Sequence, residues 1–182
     1  MTEQRQLMNS LVERSIACTE RIAAGARPAP LDRLAERPAT GRWSAAEVLE
    51  HLCLSDEAYE APRLALIAAA RPDAGAPFHE WTPTLAGRFL AAMLGGSRPL
   101  RAPGTLRPGP TPRGGVAEEF LRRQYAFTDL LARAETLDWR RLKMSSPLLS
   151  IIRLNLGDVF VIQVVHVERH ATQIERALAG AT

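Results

Sequence analysis

The 182-residue sequence predicts an all-α protein, a four-helix bundle formed as one domain over residues 1–182. Three observations predict it. Apolar residues recur at helical spacing in four long segments, two of those segments open on capping-box signatures, and no stretch reads as a credible strand. A hydrophobic fraction of 46% and a charged fraction of 24% are ordinary for a globular chain. At this length about 70% of the unfolded surface can be buried without disulfides.

The first helix is expected over residues 4–24, where Leu7, Met8, Leu11, Val12, Cys18 and Ile22 recur at helical spacing. Gly25 and the proline- and glycine-rich run at 26–42 should end it. The second helix opens at Ser44, whose hydroxyl can accept from the Glu47 amide while Glu47 reaches back, with Trp43 free to staple to Val48. It should continue to about Ala70, bent at Pro62. His51 lies at the centre of its inward arc, with Val48, Ser55, Ala58, Ala65 and Leu66, whereas Asp56, Glu57 and Glu60 read as a solvated face.

Between the second and third helices, residues 71–115 form a long Pro/Gly-rich connection whose only regular stretch is a short helix at LAGRFLAAML. Connections of that length in compact domains are functional or mobile. His79, within it, reads as a solvent-facing loop residue. The third helix spans about Val116 to Leu137, with Phe120, Gln124, Phe127, Leu131 and Ala134 on one face. Asn155 and Asp158 repeat the cap-and-N3 arrangement at the entrance to the last helix. Its first half, VFVIQVV, is apolar nearly all round and should be covered on more than one side, by the long connection or by a second subunit.

That last helix carries the sequence's clearest chemical signal. His166 and His170 stand one turn apart on an arc shared with Val159, Ile162, Gln173 and Ala177, so both imidazoles point toward the core. A metal ion would give both lone pairs a common partner, since an unpaired buried polar group costs about 1–3 kcal/mol. Two buried histidines that donate to carbonyls and waters would leave the same trace, and a third ligand elsewhere decides between the readings. His51 also projects inward, at a depth compatible with convergence.

Composition excludes several classes. The net charge of +3 comes almost wholly from arginine, Lys143 being the single lysine, but the arginines are scattered and interleaved with glutamates. Without a basic block or aromatic interleaving, no nucleic-acid platform is expected. No apolar run approaches the ~20 residues of a membrane span, and the first residues lack a signal-peptide core, so the expected location is cytoplasmic, away from membranes. Cys18 and Cys53 sit at helical core positions and read as small buried hydrophobes.

The pattern W-S-x-x-E-x-x-x-H-L at Trp43 to Leu52, followed by H-x-x-R-H-x-x-Q-I at His166 to Ile174, resembles the DinB/YfiT-like family of metalloenzymes. The resemblance covers essentially the whole chain, in helix order and in the long connection before the third helix. It implies a four-helix bundle in which His51, His166 and His170 bind a divalent metal ion, commonly nickel or zinc. Family activities include transfer and isomerisation reactions that use a low-molecular-weight thiol, and metal-dependent hydrolysis.

The expected function is therefore that of a metal-dependent enzyme, activating a small thiol or water for transfer to, or hydrolysis of, a small electrophilic substrate. Such a site leaves an open position at which a water's pKa can fall toward ~7 or a thiol be held as thiolate. Gln173, Ser55 and Arg169 are the polar groups best placed to touch substrate. No inward carboxylate is expected as general base, because Glu47 is taken by the capping box. The alternative is a non-catalytic bundle with structural histidines, acting as a binding or interaction module. A homodimer through the Phe160, Val164 and Val167 flank is compatible with either.

Overall fold

A computed structural model describes residues 2–96, 98 and 100–180 and is mostly helical. Four long helices dominate it: α1 (Gln4–Ala26), α3 (Ala45–Ala68), α5 (Val116–Arg133) and α6 (Leu156–Ala179). Two short helices, α2 (Leu31–Ala35) and α4 (Leu85–Gly95), lie in the connections. Both α1 and α3 pack against α5 and also against α6. Buried side chains of all four meet in one apolar cluster around Phe120, and a second cluster gathers Leu11, Leu131, Phe160 and Trp139, all of them essentially solvent-free. Each fully buried side chain of this size contributes about 1.5–3 kcal/mol.

Both capping boxes form. Ser44 Oγ accepts from Glu47 N–H at 3.2 Å and Ser44 N–H donates to the Glu47 carboxylate at 2.8 Å. At the head of α6, Asp158 N–H donates to Asn155 Oδ1 at 2.8 Å and Asn155 N–H to Asp158 Oδ2 at 3.0 Å. These caps set the phase at which α3 and α6 begin, and hence the face on which each histidine emerges. Boundaries differ slightly from expectation. The first helix runs through Gly25 to Ala26, and α5 stops at Arg133, after which Trp139 folds back with its indole N–H on the Ala134 carbonyl.

The expectation of a strand-free chain is corrected. β1 (Thr2–Glu3) pairs antiparallel with β2 (Glu80–Trp81), and β3 (Lys143–Ser146) pairs antiparallel with β4 (Leu149–Asn155) through a bulge at Ser145/Ser146. The second hairpin was illegible because only Met144 and Leu154 bury apolar side chains on it, while Leu149 and Ile151 stay exposed. Alternation is too weak there to announce a strand.

The apolar first half of α6 is covered from within the chain. α4 lies along it: Thr84, the α4 N-cap, donates its hydroxyl and its amide to Asp158, and Arg169 donates to the Leu94, Gly96 and Arg98 carbonyls at the other end. Gly87 makes this approach feasible, since a β-carbon there would stand 2.1 Å from the Asp158 carboxylate. Phe160, Val164 and Val167 are 0, 2 and 7% exposed, and Phe127 and Trp139 stack edge-on against Phe160. The flank expected to serve a homodimer is therefore closed inside the fold. Among the described residues, no helix is long and apolar enough to cross a membrane.

Candidate metal centre

His51, His166 and His170 meet. His51 projects from the second turn of α3, and His166 and His170 from successive turns of α6. Their ring centroids lie 4.7–5.0 Å apart with planes inclined at 71–88°, and His51 Nε2 is 3.1 Å from His166 Nε2. Each ring offers one nitrogen within 4.8 Å of the others, and the group could hold a metal ion.

Neighbouring groups fix which nitrogens face inward. His51 Nδ1–H donates to the Leu106 carbonyl at 2.7 Å, and His170 Nδ1–H donates to Gln173 Oε1 at 2.8 Å. A neutral imidazole with its proton on Nδ1 keeps its lone pair on Nε2, so two rings aim acceptors at a common point. The donor set fits a divalent ion. Ligand distances of 2.0–2.1 Å about a tetrahedral centre separate nitrogens by about 3.3 Å, close to the His51–His166 spacing.

All three imidazoles are held neutral. Burial lowers His51 despite the Leu106 hydrogen bond that works to raise it. Burial first, then the neighbouring histidines, lowers His166 well below its usual range, and burial with the His51 charge brings His170 to about 3. His166 is partly exposed, but to a cavity walled by protein. Neutral imidazoles are the metal-binding form.

That cavity, about 430 Å³, extends from the histidines between α3, α4, α6 and the second hairpin. Its walls are mainly apolar, with Leu90, Met93, Leu94, Phe127, Leu149 and Ile152 among them. This is the size and character of a small-molecule site. Trp43, expected only as a staple, stands with its ring 5.2 Å from that of His51 and also lines the cavity.

The other sequence-nominated residues have their own partners. Gln173 orients His170, Ser55 lines the cavity with its hydroxyl donated to the His51 carbonyl at 2.7 Å, and Arg169 ties α6 to the end of α4. Asp56 corrects two expectations, the solvated face and the absence of an inward carboxylate. It is 8% exposed, lines the cavity, and accepts from Arg63, Arg123 and Gln163 at 3.2–3.3 Å. Its partners come from two turns along α3 and from α5 and α6, which local spacing could not reveal. Glu57 and Glu60 join through Arg123.

Both thiols are inert: burial raises Cys18 to about 11 and Cys53 to about 12. Comparison with known proteins matches residues 14–174 to the DinB superfamily. No curated protein and no solved structure gives a match. The match spans most of the chain and includes all three histidines, and the protein belongs to the DinB superfamily.

Proposed function

We propose that the chain is a metal-dependent enzyme built on a four-helix bundle, in which His51, His166 and His170 hold one nickel or zinc ion beside the cavity. The observation that carries this reading is the paired restraint at Nδ1. Leu106 and Gln173 each take a proton on the outer side of a ring, which leaves the Nε2 lone pairs of His51 and His170 for the interior, where His51 Nε2 meets His166 Nε2 at 3.1 Å. A divalent ion there would supply Lewis acidity, bringing a small thiol or a water to its nucleophilic form near neutral pH.

The residues of the chain do the rest. Apolar walls exclude water from a small electrophilic substrate and limit its size to the 430 Å³ available. Asp56 is engaged by two guanidinium groups and an amide, so it shapes the wall and does not act as general base. Tyr59 Oη and Ser146 Oγ, 3.2 Å apart, are the neutral polar pair available to orient a substrate. Arg169 keeps α4 in place as the outer wall.

The test pairs metal analysis with turnover. Untagged protein should carry stoichiometric nickel or zinc at this centre and turn over an electrophile with a small thiol, or hydrolyse an activated ester. His51→Ala should lose both properties. Metal-loaded protein that processes neither substrate class, while losing thermal stability on metal removal, would favour a structural role for the histidines.

A further inference from the structure

A second group of ligand-type side chains converges among the described residues. Asp73, His79 and Asp138 each offer an atom within 4.8 Å of the others. This group is remote from the three histidines: Asp73 lies beyond the end of α3, about 25 Å of helix from His51. It gathers segments far apart in sequence, the turn that follows α3 and the turn that follows α5.

Its frame is held by backbone hydrogen bonds. Asp73 N–H donates to the Thr136 carbonyl at 2.7 Å, and Gln4 N–H donates to the His79 carbonyl at 3.0 Å. The Gln4 side chain, 2% exposed, donates to the Glu135 and Leu137 carbonyls and accepts from Trp139 N–H. The start of α1 thus locks the two turns together. Asp73 Oδ1 accepts from Gly75 N–H at 2.9 Å, which aims its carboxylate across the turn.

Asp138 supplies the independent sign of a ligand. It is 8% exposed, and its Oδ1 accepts from Arg140 and Arg141 N–H at 3.1 Å. Its Oδ2 is buried with no hydrogen-bond donor. The side-chain nitrogens His79 Nδ1, at 3.4 Å, and Arg141 Nε, at 3.3 Å, form ion-pair contacts with it but no hydrogen bond. Arg141 is 73% exposed at its side chain, so its attraction is screened by solvent. A buried carboxylate oxygen without a hydrogen bond is costly, and a cation bound directly to it removes the cost that a screened guanidinium leaves.

We propose that Asp73, His79 and Asp138 form a second divalent-cation site, distinct from the three-histidine centre, which clips the segment after α3 to the turn after α5. Two carboxylates and one imidazole are a donor set for a first-row dication such as zinc or manganese.

The test is equilibrium dialysis of untagged protein against zinc and, separately, manganese, followed by metal analysis. A His51→Ala/His166→Ala chain should still take up a single ion of one of these metals, with a rise in melting temperature. Adding Asp138→Asn, which preserves the Oδ1 hydrogen bonds, should bring uptake to background. In the otherwise unchanged chain, Asp138→Asn alone should lower the ion count by one. Uptake that survives Asp138→Asn, or a double variant that binds neither metal while keeping its helical circular dichroism, would overturn the proposal. Failure of the three-histidine centre reads differently, as an Asp138→Asn chain that holds no ion at all.

Discussion

Two polar clusters border the same cavity and are satisfied in opposite ways. The Asp56 cluster closes on itself: its carboxylate takes Arg63, Arg123 and Gln163, and Arg123 also reaches Glu57, Glu60 and Glu119. The histidine cluster is tied from behind by Leu106 and Gln173, and its inner nitrogens face one another. Burial of polar groups alone therefore does not mark a site. An interior cluster that leaves lone pairs converging on one point has chemistry to offer, whereas one that consumes its donors and acceptors is scaffold.

Substitutions can break that contrast. His166→Ala should have the largest effect, abolishing metal uptake at the histidine centre while leaving the helical circular dichroism intact. Asp56→Ala should do the reverse. It strands Arg63, which is 3% exposed, and should cost about 3–5 kcal/mol in urea unfolding with metal affinity little changed. A loss of metal as large as that of His166→Ala would show that the two clusters are not separable.

Acid should sharpen the contrast in metal-free protein. His170 titrates near 3 in the folded chain against about 6.5 unfolded, so below pH 6.5 the unfolded state takes up a proton that the folded state refuses. Stability should be level above that pH and fall progressively toward pH 3. Between pH 6.5 and 5 this single group accounts for about 2 kcal/mol, read as a lower melting temperature. His170→Gln should remove this share of the slope and leave the parts that come from His51 and His166, which burial also lowers. Smallest is Gln173→Ala, which removes the acceptor behind His170 and should weaken metal affinity by about 10-fold, with a melting temperature close to that of the parent.

The histidine side of the comparison was legible in sequence because it rests on local rules. Helical spacing put His51, His166 and His170 on inward faces, and the Ser44–Glu47 and Asn155–Asp158 boxes fixed where those helices begin. The family resemblance then joined the two motifs, and comparison over residues 14–174 bears the family out. The Asp56 side was not legible, because i, i+1 and i+4 charges on one helix look like a wet surface until α5 and α6 supply their arginine and glutamine partners. The same holds for the second hairpin, whose exposed Leu149 and Ile151 hide its alternation, and for Phe160, Val164 and Val167, whose cover comes from within the chain. Contacts between remote segments decide each of these cases, and no short window of sequence contains them.

Whether three imidazoles from α3 and α6 share one ion is decided by anomalous X-ray scattering at the nickel and zinc edges from crystals of untagged protein. A shared ion gives one peak about 2.0–2.1 Å from a ring nitrogen of each of His51, His166 and His170. No peak at that point in metal-supplemented crystals, or a peak bound by only two of the three rings, would contradict it.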